Sequence, residues 1–221
     1  MLALKLGLSL VSTRKLGGWS PDDETSLVAW YQNKVGITDE EPGVSAWADS
    51  SSNSYDMIQA TVTEQPAYNV STGALTFASA DDTNLQSVGQ ISLTADFTLG
   101  LRIKTSTTNG SFLADNTSAN EFFKYSGVTN DRIAFKIAGS AATNLDLDSG
   151  TFGDDYIVIT RLSSVLTLWK NGVAQTGTTP TLAGTSLIDV IGLRRTDTNG
   201  FDGTIKEIQI YSSSSADLTA N

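Results

Sequence analysis

The 221-residue chain contains neither histidine nor cysteine, so its chemistry rests on carboxylates, amides, aromatic rings, lysine and arginine. A Ser-His-Asp triad, a Cys-His pair and the common zinc sites are excluded outright. Glycoside hydrolysis needs two carboxyl groups about 5–5.5 Å apart for retention, or about 6.5–9.5 Å apart for inversion. Asp39, Glu40 and Glu41 are adjacent, so they alternate faces or sit in a solvated loop, and Asp146 and Asp148 have i, i+2 spacing beside Gly150 in an expected loop. Neither supplies a strand-borne pair, and a non-enzymatic protein is expected. A hard cation such as Ca2+ takes carboxylate and carbonyl oxygens. The oxygen-rich candidates are Asp81, Asp82 and Asn84, and Asp197, Asn199 and Asp202. Neither group matches an EF-hand loop, and the same residue types build ordinary turns. No cofactor is expected beyond such an ion. Carbohydrate binding uses an aromatic ring with amides and carboxylates nearby. Trp19, Tyr31, Tyr55, Tyr68 and Tyr125 are the candidate platforms, whereas Trp30, Trp47 and Trp169 lie in apolar strand patterns and read as packing.

The net charge of −10 excludes nucleic acid as a partner, because phosphates demand basic surface. That charge is uneven. Residues 1–21 hold Lys5, Arg14 and Lys15 and no acid, a charge of +3, which leaves −13 on the rest. Leu2, Leu4, Leu6, Leu8 and Leu10 alternate strictly, which would place all five on one face of an extended strand. Two readings stand: a strand that joins the domain's own sheet, or a docking arm that adds an edge strand to a neighbouring subunit. Gly17-Gly18 would be the hinge. The segment does not read as a signal peptide, because Lys5, Gly7 and Ser9 interrupt its apolar run and the basic residues follow it. No apolar run approaches bilayer-spanning length, so membrane insertion is not expected.

The elements that must position these groups are short strands. Tyr156–Leu162 and Val165–Lys170 flank Ser163-Ser164, and a third run follows Asn171-Gly172, a pair suited to a two-residue hairpin turn. Phe97-Thr-Leu-Gly-Leu-Arg-Ile-Lys104 places Phe97, Leu99, Leu101 and Ile103 on one face. In Gly203–Tyr211 the alternation breaks between Lys206 and Ile208, which signals a bulge or a strand buried on both faces. More than ten such strands and no amphipathic helix of useful length give an all-β sandwich. The expected organisation is an arm over 1–18 and one domain over 19–221.

Several blocks in order resemble the concanavalin A-like jelly roll in its laminin-G-like branch. They are Leu27-Val-Ala-Trp-Tyr31, Val44-Ser-Ala-Trp-Ala-Asp-Ser-Ser-Ser-Asn53, Gln59-Ala-Thr61 with Gln65-Pro-Ala-Tyr68, Leu75-Thr-Phe77 with Asp81-Asp82 and Leu85, and Phe201–Tyr211. The likeness covers roughly 27–218 and implies two antiparallel sheets, rim Ca2+ sites and carbohydrate binding. The hydrolase pattern E-x-D-x-x-E of the superfamily is absent. The block is similar to its phage variants, so the expectation is a virion-located structural protein, a capsid decoration or accessory subunit. Leu2, Leu4, Leu6, Leu8, Leu10, Arg14 and Lys15 would dock it onto capsid or other virion proteins, and a rim would meet host-surface glycans. A homo-oligomer following particle symmetry is compatible with this. The alternatives are a free lectin-like module and, third, a polysaccharide hydrolase.

Overall fold

The computed structural model describes residues 20–106, 109–118, 120–127, 131–148, 151–177, 179–194 and 200–214. The docking-arm residues, the Gly17-Gly18 hinge, Trp19, Asp197 and Asn199 lie outside the described residues. Seventeen strands follow a 3₁₀ turn at Pro21–Asp23: β1 (Leu27–Tyr31), β2 (Ile37–Glu40), β3 (Gly43–Trp47), β4 (Met57–Ile58), β5 (Ala67–Asn69), β6 (Ala74–Phe77), β7 (Leu85–Leu93), β8 (Phe97–Thr105), β9 (Asn109–Ala114), β10 (Phe122–Ser126), β11 (Arg132–Lys136), β12 (Thr143–Asp146), β13 (Gly153–Leu162), β14 (Val165–Lys170), β15 (Val173–Ala174), β16 (Ser186–Ile191) and β17 (Gly203–Tyr211). No helix among the described residues is long and apolar enough to cross a membrane.

The strands form two antiparallel sheets, as a jelly-roll sandwich requires. The first runs β15-β14-β13-β8-β17-β6-β5, with β1 also paired to β17; the second runs β12-β11-β10-β9-β16-β7-β4-β3-β2. Asn171 and Gly172 take φ of 50° and 78°, and Ser163 and Ser164 take 50° and 70°, so both turns of the β13–β14–β15 meander have left-handed central residues. Those values match the twist of the flanking strands.

The core lies between the sheets. Phe123 stacks on Phe135 with centroids 4.2 Å apart, and Phe97 meets both edge-on at 6.1 and 6.0 Å. Leu99, Leu101 and Ile103 join them from β8, and Ile205, Ile208 and Ile210 from β17. Arg161, 2 % exposed, also faces inward, with its guanidinium 4.6 Å over Phe97. It donates to the carbonyls of Leu93, Ala95 and Gly184, which satisfies a buried charge without a carboxylate.

Both readings of the broken alternation in β17 hold. The register slips at Lys206, and Glu207 to Tyr211 are buried on either face. Other elements differ from expectation. Asp39 belongs to strand β2 and not to a loop, and Asp146 ends strand β12. The nine-residue β7, with polar Gln86, Ser87 and Gln90 and a central Gly89, carries too weak an apolar pattern to be read as a strand.

Candidate functional site on the outer face of the first sheet

Because successive side chains alternate, the strands that bury Leu99, Ile157, Ile208 and Ala29 inward present a second set of residues outward. Strand register arranges that set in rows. One row runs Trp169–Val158–Gly100–Gln209–Trp30 across five strands, with an indole at each end and a glycine at its centre. A second is Thr167–Thr160–Thr98–Tyr211–Leu27, and a third is Tyr156–Arg102–Glu207. Val158, Tyr211, Leu27, Tyr156 and Trp169 pack together as an apolar cluster separate from the main core.

Gly100 permits this arrangement. A Cβ there would fall 2.4 Å from the Tyr156 hydroxyl and 3.7 Å from Gln209 Cβ, so the phenol lies across β8 in space that a side chain would fill. The ring is half-exposed, while its hydroxyl is buried without a hydrogen-bond partner. Burial, then the neighbouring Tyr211 and Glu207, push that hydroxyl's pKa well above the ordinary range.

Beneath Trp30 lies a closed polar chain. Tyr211 Oη donates to Gln209 Oε1 at 2.9 Å, Gln209 Nε2 to Glu207 Oε1 at 2.7 Å, and Trp30 Nε1 to the same oxygen at 3.0 Å. Burial raises the pKa of Glu207 despite these donors and the nearby Arg102. Above it Arg102 Nε and Nη2 reach Asp154 at 3.2 Å each, and Lys206 Nζ reaches the same carboxylate at 2.6 Å. Burial works against ionisation of Asp154, but the Lys206 and Arg102 contacts outweigh it and hold the carboxyl below its usual range. Half-exposed rings beside fixed charges and amides can stack on a sugar's apolar face and hydrogen-bond its hydroxyls.

The structure places the sequence candidates elsewhere. Tyr31 and Tyr125 cannot be platforms. Tyr31 is buried against Trp47 with its hydroxyl 2.7 Å from the Tyr55 carbonyl, and Tyr125 is buried against Phe152 and donates to Asp131 at 2.6 Å. Both sit at inward positions of their strands. Tyr55 and Tyr68 are half-buried at the margin of the core, Tyr55 over Gly89 and Tyr68 on the edge strand β5. Trp47 is core, as expected. Trp30 and Trp169 pack too, but on the outer face.

The oxygen-rich groups meet at one corner as a clasp. Asp202 Oδ1 and Oδ2 accept from Ser79 N–H and Oγ, each at 2.6 Å, closing the turn that ends in exposed Asp81. Asn84 Oδ1 accepts from Gln59 and Gln86, and Asn84 Nδ2 donates to the Asp82 carbonyl. Among the described residues no group of three or more carboxylates, histidines or cysteines is arranged to hold a metal. At this corner the side-chain oxygens of Asp202 and Asn84 accept hydrogen bonds from the chain, and Asp81 is exposed. Asp146 lines an open cleft of about 560 Å3 with Thr143, Asn144, Gly177, Thr179 and Pro180. No aromatic ring lines it. Asp148 instead accepts from Thr176 N–H and Oγ1 at 2.8 and 2.9 Å.

The outer face of the second sheet is different. Phe122, Ala114, Val190 and Leu193 form a small patch, with Arg194 5.0 Å over Phe122. Three neighbouring carboxylates each accept from the chain. Asp189 takes Asn116 N–H at 2.6 Å, Glu121 takes Leu187 N–H at 3.1 Å, and Asp115 takes Thr117 N–H at 2.8 Å and Gln90 at 3.1 Å. Burial, then mutual repulsion, raises Glu121 and Asp189 despite those backbone donors.

No protein-family profile and no curated protein sequence matches the chain. Solved structures do. Trypanosoma rangeli sialidase superposes with a TM-score of 0.53 at 11% identity over 86% of this chain and 31% of its own. Domain 4 of AbnA, a GH43 extracellular arabinanase from Geobacillus stearothermophilus, solved in complex with arabinotriose, gives 0.52 at 15% identity over 89% and 99%. The binding domain of Paraclostridial Mosquitocidal Protein 1 gives 0.54 at 14% identity over 88% and 50%. The chain thus spans about a third of the sialidases it resembles and nearly all of the arabinanase domain. At these identities the likeness is one of fold alone, a sandwich of two antiparallel sheets.

Proposed function

We propose that this sandwich is a non-catalytic glycan-binding module that binds through the outer face of its first sheet. The observation that carries the reading is the pair of half-buried rings on this face, Trp169 and Tyr156, the latter laid over Gly100; Val158, Gln209 and Trp30 of the same row are buried and support them. Half-buried rings flanked by satisfied amides and carboxylates suit a sugar. The arabinanase domain in complex with arabinotriose and the toxin binding domain support it as precedents for the fold. On this face Glu207 is buried and hydrogen-bonded and Asp154 is ion-paired, which favours binding over hydrolysis. A glycan array, run with and without Ca2+, tests the reading. Hits that disappear with Trp169→Ala support it, and hits that survive both Trp169→Ala and Tyr156→Ala overturn it.

The module is further proposed to be borne on a phage virion as a decoration or accessory protein, fixed by residues 1–18. The strict leucine alternation and the +3 charge of that segment support the attachment. Deletion of 1–18 should release the protein from purified particles. Particles that retain the truncated chain would overturn the docking arm.

A further inference from the structure

We propose that the charged end of this face takes an anionic sugar, with the sugar's carboxylate seated on Arg102 and Lys206; the inference rests on the glycan-binding reading and specifies its ligand class. The site is built by two bulges. On β13 the register slips between Gly153 and Asp155, opposite Ile103-Lys104, and on β17 it slips between Ile205 and Glu207, opposite Arg102-Ile103, so both neighbours of β8 carry one extra residue next to the partner of Ile103. Those extra residues are Asp154 and Lys206. Bulges re-aim side chains, and here Lys206 reaches across to Asp154 while Asp154 adopts φ of 82°, a left-handed value rare outside glycine.

The outcome is two cations fixed on one carboxylate. Arg102 holds Asp154 through Nε and Nη2, which leaves the outer edge of its guanidinium half-exposed. Lys104, exposed, follows on the same face of β8. Of the acids nearby, Asp155 is paired with Lys170 at 3.3 Å and hydrogen-bonded by Asn171 and Gly153, and Glu207 lies buried beneath Trp30. The protein as a whole carries −10, and exposed Lys104 beside Arg102 and Lys206 opposes that general field here. Tyr156 is the cross-strand partner of Arg102, and its ring lies over the adjacent Gly100 on the same face. A carboxylate bound by Arg102 therefore brings its pyranose ring against an aromatic face. Arg presents a planar fork matched to carboxylate, and partial burial limits screening of the contact.

The test compares acidic glycans with uncharged counterparts: 3′-sialyllactose against lactose, and trigalacturonate against galactotriose, by calorimetry at two ionic strengths. Binding of at least one acidic member is expected, tenfold or more tighter than its counterpart and weakened by salt. Arg102→Met and Lys206→Met should each remove that preference, while Arg102→Lys keeps part of it and thermal melts confirm folding. Equal affinity for acidic and neutral members, unchanged by Arg102→Met and lost with Trp169→Ala, overturns the anionic ligand and leaves the glycan-binding reading intact. Equal weakening of both members by Arg102→Met also overturns it, because Arg102 would then only shape the face. No binding of any glycan on the array overturns both.

Discussion

The outer faces of the two sheets break the same rule in different ways. Each should be polar, and each carries apolar and ionisable groups. On the second sheet the carboxylates of Asp115, Glu121 and Asp189 accept backbone N–H groups and tie the segment after β9 to β16, so their chemistry is consumed in holding a loop. On the first sheet Trp169, Tyr156 and Arg102 end half-exposed, fixed from below by Gly100, Glu207 and Asp154. A buried charge that closes a loop is architecture; a preorganised ring and cation left at the surface are what a ligand needs.

The comparison can be broken from the largest effect downward. Phe123→Ala removes the stacked centre that both faces rest on and should cost about 3–5 kcal/mol in urea unfolding, abolishing the distinction between them. Gly100→Val forces the Tyr156 hydroxyl out of its place and should cost about 1–3 kcal/mol together with glycan binding. The matching change on the other face, Ala134→Val beside Phe122, should stay within about 0.5 kcal/mol and leave binding intact. Trp169→Ala should weaken glycan affinity about tenfold or more, whereas Phe122→Ala should lower stability without touching affinity.

The smallest effect has opposite signs at Asp154 and at the Glu121–Asp189 pair. Glu121 and Asp189 have raised pKa values in the folded state, so they cost stability at neutral pH and that cost is relieved as pH falls through their folded values toward the ordinary carboxylate range. Asp154 is lowered, so its contribution is present at neutral pH and is lost as pH falls below the ordinary range. Glu207, sunk beneath Trp30, shares the sign of Glu121. Asp189→Asn should therefore raise stability at pH 7, and Asp154→Asn should lower it, each by about 1 kcal/mol. Denaturation midpoints between pH 3.5 and 7.5 check both, and both differences should shrink at the acid end.

The strands with strong alternation were legible in the sequence. Gly203–Tyr211 has the expected bounds, and its break at Lys206 is a real bulge. Gly203 itself is demanded, because a Cβ there would meet the Lys104 carbonyl oxygen at 2.1 Å. The site was less legible. Alternation tells which residues share a face but not which face is the core, so Tyr31, a candidate platform, is fully interior, while Trp30, read as packing, is buried on the opposite face. Arg102 gives no signal because its partner, Asp154, comes from a distant strand and meets it only through register. A signal was present in Gly100, since a glycine amid a central strand marks a close approach.

The paired bulges beside β8 carry a consequence for how this sandwich can change over time. Each adds one residue within a step of the other along β8, and Gly153 and Thr204 both pair with Lys104. Deleting Asp154 alone would shift one neighbour of β8 by a step and turn that end of the strand inside out. Lys206 alone would do the same on the other side. The two positions are therefore expected to be gained and lost together among descendants of this chain, a correlated pair separated by fifty residues of sequence and joined by one carboxylate–ammonium contact.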